Sequence, residues 1–233
     1  MDNNQTQRVL VIVAHPDDPE FFCGATLAKW AREGKDIRYL ILTCGDKGSD
    51  DLTMTPDAIS AVRQAEQCAA AGVIGVKDVI FLHHRDGELV NTLDLRREIV
   101  REIRRFKPQI VVTSDPTTYF QGSAYINHVD HRTAGAAVLE AISPAASGQR
   151  FYPELLTEGL NPHSPREVWV TLTNEPNQVV NVTDTIDIKI TALLQHKSQI
   201  KESPEELAKR IKGKSHRPFW RVYREWFRVI RFW

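Results

Sequence analysis

The chain has 233 residues, 42% hydrophobic and 26% charged, which is length and apolar content enough to bury one substantial core. Its 30 basic residues balance 30 acidic ones, so no overall positive charge recommends nucleic acid as a partner. No apolar stretch is long enough to span a bilayer, and Met1-Asp2-Asn3-Asn4-Gln5-Thr6-Gln7 lacks the cationic and apolar regions of a secretory signal. Cys23, Cys44 and Cys68 form no CxxC pair, so a reducing cytoplasm is the expected location.

Arg8 to Ala14 is nearly continuous in Val, Leu and Ile, the pattern of a parallel strand covered on both faces. Gly24 to Glu33 reads as a helix ended by Gly34, and Ile37 to Thr43 as a second buried strand. The glycines and aspartates of residues 45–51 favour turns. Thr55-Pro56-Asp57 has the features of a helix start, and that helix is expected to reach about Ala71, where Gly72 stops it. Val79 to Leu82 reads as a strand, Leu93 to Phe106 as a helix, Ile110 to Thr113 as a buried strand, and His131 to about Ile142 as a helix. Ser143 to Arg166 holds four prolines and reads as a long irregular loop, a class that is usually functional or disordered.

Val168 to Leu172 and Val179 to Val182 are expected strands, and Asp184 to about Ser198 an expected helix capped by Thr183 or Asp184. Residues 201–233 carry ten Lys or Arg against four Glu. From Phe219 onward, arginines at 221, 224, 228 and 231 leave Trp220, Tyr223, Phe227 and Ile230 on another face, the periodicity of an amphipathic helix. A membrane-surface role suits that composition, but docking on the domain or a subunit contact is the preferred reading. The alternation predicts one domain over residues 1–233, with a polar tail at 1–7 and a basic aromatic segment at 214–233. Its fold class is α/β and Rossmann-like, a mostly parallel sheet flanked by helices, with ligands at the carboxyl edge of the strands.

Two motifs carry chemistry. Ala14-His15-Pro16-Asp17-Asp18 places three ionisable groups where the first strand must end, and His128-Val129-Asp130-His131 adds two more imidazoles and a carboxylate. Two His and an Asp, with a further Asp and His beside them, match a hydrolytic zinc centre: three protein ligands, an open position, and acid–base groups nearby. Each motif has a plainer alternative. Adjacent aspartates also form turns or helix caps, and HxxH spacing is common on helix surfaces.

These residues resemble the LmbE-like, N-acetylglucosaminyl-phosphatidylinositol de-N-acetylase-like family of metal-dependent deacetylases. The likeness rests on AHPDD at 14–18 and His128-Val129-Asp130-His131-Arg132. It extends to Arg63-Gln64-Ala65-Glu66, Arg85-Asp86-Gly87 and the late segment Gln195-His196-Lys197-Ser198-Gln199. The resemblance implies that His15, Asp18 and His131 hold Zn2+ or another divalent ion, and that Asp17 is the general base. It implies that His128 stabilises the oxyanion or protonates the leaving amine, with Asp130 orienting His128. Arg63 and Asp86 would hold sugar hydroxyls, with His196 a further pocket residue. It also implies a small-molecule amino-sugar substrate and a homo-oligomer, often a hexamer. Pro19 and Val129 depart from the family's usual residues without removing a ligand. As plainer alternatives, Arg63 could pair with Glu66 along its helix, and Asp86-Gly87 could be an ordinary turn.

The leading expectation is a zinc-dependent hydrolase that removes N-acetyl from an N-acetylglucosamine-type sugar or glycoconjugate. A non-catalytic nucleotide- or sugar-binding module is the second class, but no G-x-G-x-x-G turn follows the first strand. An amidohydrolase acting on a non-sugar amide, or a closed structural metal site, completes the alternatives. Substrate identity is expected to lie in loops 45–54 and 143–166.

Overall fold

The structure is a computed structural model describing residues 6–215 and 222–232. In chain order it contains β1 (Arg8–Val13), α1 (Asp18–Arg32), β2 (Asp36–Thr43), α2 (Pro56–Ile74), β3 (Asp78–His84), α3 (Leu93–Phe106) and β4 (Ile110–Ser114). A small hairpin of β5 (Phe120–Gln121) and β6 (Tyr125–Ile126) precedes α4 (Val129–Glu140) and α5 (Glu154–Thr157). The chain then forms β7 (Glu167–Thr171), β8 (Gln178–Asn181), α6 (Ile186–Leu193), α7 (Pro204–Ser215) and β9 (Arg224–Arg231).

Seven strands make one sheet in the order β3-β2-β1-β4-β7-β9-β8. The first five are parallel, and β9 runs antiparallel to both β7 and β8. Residues of β1 are buried on both faces, which is why its sequence is a continuous apolar run. Val9, Val11 and Val13 pack with α1 and α2, while Leu10 and Ile12 pack with α3 and α4, giving helix, sheet and helix layers. The expected α/β, mostly parallel architecture is the observed one.

Several expected elements change. α1 begins at Asp18 rather than Gly24, and a non-helical residue, Cys23 (φ −148°, ψ 18°), divides it just before the expected start. α2 runs through Gly72 to Ile74 and ends at Gly75, whose φ of 93° suits glycine. Thr55 caps that helix as expected, accepting the Ala58 N–H. α6 is shorter than expected, and Thr185 precedes it.

Residues 143–166 are not an open loop. Arg104 is fully buried, and its guanidinium donates to the carbonyls of Ala145, Ala146, Gly148, Phe151 and Tyr152, gathering the segment onto α3. From Arg224 to Arg231 the basic tail forms a strand rather than the expected helix, with Glu225, Phe227 and Val229 turned inward; Phe219, Trp220 and Arg221 lie outside the described residues. The tail's arginine spacing fits a helix, but its alternating burial has the two-residue period of β structure. α7 was not anticipated, although Ser203-Pro204-Glu205-Glu206 marks its start. Ser203 N donates to the Glu206 carboxylate at 2.9 Å and Glu206 N to Ser203 Oγ at 3.3 Å, a reciprocal capping box.

Candidate metal centre

β1 and β4 are neighbours, yet the chain leaves them toward opposite helix layers, so a crevice opens at their carboxyl ends. The turn after β1 brings His15, Asp17 and Asp18 to that crevice, and the start of α4 brings His128, Asp130 and His131. The turn after β3 brings Asp86.

His15 Nδ1 lies 3.2 Å from His131 Nε2 and 3.5 Å from Asp18 Oδ2, and His131 Nε2 lies 3.1 Å from Asp18 Oδ1. Ligand atoms about 2.0–2.1 Å from a tetrahedral ion sit roughly 3.3 Å apart, so the His15 and His131 nitrogens, with the Asp18 carboxylate turning one oxygen to each, are spaced for a zinc-sized cation. The opposite ring nitrogens fix the tautomers. His15 Nε2 meets Asp130 Oδ2 and Asp86 Oδ1, each at 3.1 Å, and His131 Nδ1 meets Asn127 Oδ1 at 3.0 Å. Both rings therefore have hydrogen-bond acceptors behind them and can offer a lone pair to the centre.

His128 also brings a nitrogen within 4.8 Å of donor atoms on His15 and His131. Its Nδ1 accepts the Asp130 N–H at 3.2 Å as the cap of α4, which leaves hydrogen on Nε2. Burial, reinforced by nearby His15, lowers its pKa, so the ring is neutral at pH 7 and acts as an N–H donor. The Asp130 carboxylate does not orient His128 as the resemblance implied. It faces His15 and accepts the N–H groups of Gly87 at 2.6 Å and Leu89 at 3.2 Å.

The carboxylates are differentiated by their neighbours. Burial works against the charge of Asp18, but His131 and His15 outweigh it and hold the pKa well below the usual carboxylate range. Burial pushes Asp17 up to about 6, with Arg63 opposing the rise and Asp18 adding to it. For His15, burial is outweighed by hydrogen bonds to Asp130, Asp18 and Asp86, and its pKa is raised.

Arg63 is buried at the edge of the cavity, and the two terminal nitrogens of its guanidinium are engaged by the protein. It reaches Pro16 O at 2.7 Å, Asp17 Oδ2 at 3.2 Å and Gly45 O at 3.2 Å, and lies 3.6 Å from Asp86 Oδ2. A Cβ at Gly45 or Gly48 would sit 2.4 or 2.6 Å from its Nη1, so these glycines make room for the guanidinium. Glu66 does not pair with Arg63; its carboxylate accepts Ser198 N at 2.8 Å and Ser198 Oγ at 2.6 Å. His196 is 1% exposed and bonds Glu20, so it is a support residue rather than a pocket residue.

A cavity of about 810 Å³ opens over the cluster. Gln199 of the late Gln195–Gln199 segment lines it, and beyond the motif residues its walls include Phe22, Gln121, Tyr125, Leu172 and Arg210, to which the sequence patterns assign no role. Gly48 of loop 45–54 contributes, but no residue of 143–166 does, so that segment's expected part in substrate identity is not borne out. The wall comes instead from the β5–β6 hairpin and from α7, whose capping box was the available signal. Among the described residues no helix is long and apolar enough to cross a membrane.

Known proteins give the same picture. The family described as PIG-L: GlcNAc-PI de-N-acetylase matches residues 10–142. A diacetylchitobiose deacetylase of Thermococcus kodakarensis is 36% identical over 88% of this chain and 74% of its own. A 1D-myo-inositol 2-acetamido-2-deoxy-alpha-D-glucopyranoside deacetylase of Nocardioides is 27% identical, covering 83% of each. The solved N,N'-diacetylchitobiose deacetylase from Pyrococcus horikoshii superposes with a TM-score of 0.85 at 28% identity, covering 97% of this chain and 85% of that one. A 4-carboxy-2-hydroxymuconate hydratase of Pseudomonas putida shares the fold at 20% identity and a TM-score of 0.76, so the reaction must be argued from the site. On its sequence and its fold, the chain belongs to the PIG-L, or LmbE-like, deacetylase family.

Proposed function

We propose that this protein is a zinc-dependent hydrolase that removes the N-acetyl group from an N-acetylglucosamine-type sugar or glycoconjugate, releasing acetate and a free amine. The observation that carries the proposal is the His15, Asp18 and His131 triangle of the right size, with a raised-pKa carboxylate, Asp17, beside it. Named activities of the relatives point the same way.

His15, Asp18 and His131 would hold a divalent ion, which when bound would supply Lewis acidity, lowering the pKa of a water to roughly 7 and polarising an amide carbonyl. Asp17 Oδ2 is engaged by Arg63, so Oδ1 is the oxygen that takes a proton from the attacking water. As that water's oxygen bonds to the amide carbon, negative charge gathers on the former carbonyl oxygen. The neutral His128 Nε2–H donates to that oxygen, which favours the oxyanion role over proton donation to the leaving group. The C–N bond then breaks, and Asp17 returns its proton to the departing amine. Asp130 and Asp86 keep the His15 ring in place throughout.

The proposal extends to one deacetylase domain over residues 1–233, supported by the strand–helix alternation, to a cytoplasmic location, supported by the scattered cysteines, and to a homo-oligomer, often a hexamer, supported by the family resemblance. Acetate release should be assayed with N-acetylglucosamine, diacetylchitobiose and glucosaminyl conjugates, with zinc or another divalent ion and with chelator. Turnover of at least one N-acetyl sugar that chelator abolishes is the expected result. Hydrolysis of only non-sugar amides would move the proposal to the other amidohydrolase class.

A further inference from the structure

Asp17 occupies a backbone conformation that L residues rarely adopt, with φ of 96° and ψ of −26°. Something must hold it there. Its N–H donates to Gln67 Oε1 at 2.7 Å, one of the shortest links around the site. An amide side chain can turn over and present nitrogen instead of oxygen, and that alternative is blocked on its far side. Gln67 Nε2 donates to both oxygens of Glu20, at 3.1 and 3.0 Å, so Oε1 must face Asp17. Glu20 Oε2 in turn accepts the ring N–H of His196 at 3.2 Å. Gln67 and Glu20 are fully buried and His196 is 1% exposed, so no solvent competes for these bonds.

We infer that His196, Glu20 and Gln67 form a buried relay that positions Asp17 as the base, acting through its backbone N–H. The inference rests on the reading of Asp17 as the base. It gives work to three buried polar residues that belong neither to the ion-sized triangle nor to the lining of the cavity, and that reach the site through Asp17. The relay also links distant parts of the chain: α1, α2 and the segment after α6. Glu66 holds that last segment against α2 through Ser198. Arg63, one turn before Gln67 on α2, grips Pro16 O and the Asp17 carboxylate. One helix therefore fixes both the backbone and the side chain of the base.

The test compares Gln67→Met, which keeps length but removes donor and acceptor, in the natural protein and in an Asp17→Asn background. In the natural protein kcat should fall about 10²-fold, the usual consequence of a misplaced reacting group, with KM and bound metal unchanged. In the Asp17→Asn protein the same substitution should lower residual turnover no further, because the two act through one group. A crystal structure of Gln67→Met should show Asp17 relaxed from its left-handed φ. Should Gln67→Met fail to fold, Glu20→Gln carries the same comparison, since it keeps one acceptor for two donors; about a tenfold fall in kcat is expected. Unchanged kcat, or an equal fall in both backgrounds, overturns the relay. An Asp17→Asn protein with natural turnover overturns the base reading and the relay with it, whereas an inactive Asp17→Asn beside an unimpaired Gln67→Met overturns the relay alone.

Discussion

Asp17 and His15 sit two residues apart in the chain, yet their surroundings push them to opposite uses of a proton. Burial raises Asp17 to about 6 against the pull of Arg63, so the carboxyl is a stronger base than a solvated aspartate and is still charged at pH 7. Turnover should therefore rise with pH through a limb whose midpoint lies near pH 6 and level off about a unit above it, a bound cation moving that limb lower; a midpoint above pH 7 would point to another base. Asp17→Asn should reduce kcat/KM about 10²- to 10⁴-fold, the range of general-base catalysis, while bound metal stays stoichiometric. His15 behaves in the other direction. Burial opposes its charge, but Asp130, Asp18 and Asp86 outweigh that, so without an ion the ring carries a proton at neutral pH. A cation needs the neutral ring, so binding must expel that proton and affinity must fall as the solution is acidified. Calorimetric titration in two buffers of different ionisation enthalpy should reveal proton release; buffer-independent heats would contradict it.

α4 carries Asp130 and His131, and its seat against the end of β4 has almost no slack. A Cβ at Gly135 would lie 2.2 Å from Ser114 O and 3.1 Å from Pro116 N, both backbone atoms. Gly135→Ala should therefore cost about 1–3 kcal/mol of stability and weaken metal binding, because the helix must move and His131 moves with it. Denaturant unfolding and metal titration of that variant would show it, and natural values for both would mean that α4 has room. Sequence patterns exposed some elements and hid others for physical reasons. β1 and β4 are buried on both faces, as β2 is from Tyr39 onward, so they read as largely apolar runs, and Thr55 marked the start of α2 through its cap. β9 was misread because arginines at 224, 228 and 231 fall at helical spacing while the inward residues follow the two-residue period. His15 and His131 were readable as donors, but their meeting depends on β1 lying beside β4, which no local pattern encodes. The partner of Asp130 was hidden likewise, since its carboxylate crosses to His15 and to the turn at Gly87.

The two ends of the described chain are joined through α1, and the joint sits beside the metal triangle. Cys23 interrupts helical geometry, and the N–H groups that open the second half of α1 donate to a carboxylate from outside the helix. Glu225 on β9, some 200 positions later, accepts the Ala25 N–H at 3.3 Å and the Thr26 N–H at 2.7 Å. Its charge is met by Lys189 of α6, whose Nζ lies 2.7 Å from Oε1 and also donates to Phe21 O at 2.9 Å. Both side chains are buried, so removing one leaves the other's charge without compensation. Glu225→Ala should cost about 3–5 kcal/mol, where a surface ion pair would cost under about 1. For a chain of this length that lowers Tm by roughly 6–20 °C, readable by calorimetry. Replacing both partners with apolar residues, as in Lys189→Met with Glu225→Leu, should recover much of the loss, because no buried charge then remains. The orphaned N–H groups of Ala25 and Thr26 keep that recovery incomplete. Since Asp18 opens α1, Glu225→Ala should also weaken metal binding, and the double replacement should restore only part of it. A Glu225→Ala protein with natural Tm and metal affinity would mean that packing of Phe227 and Val229 alone, and not this carboxylate, holds β9 and α1 together.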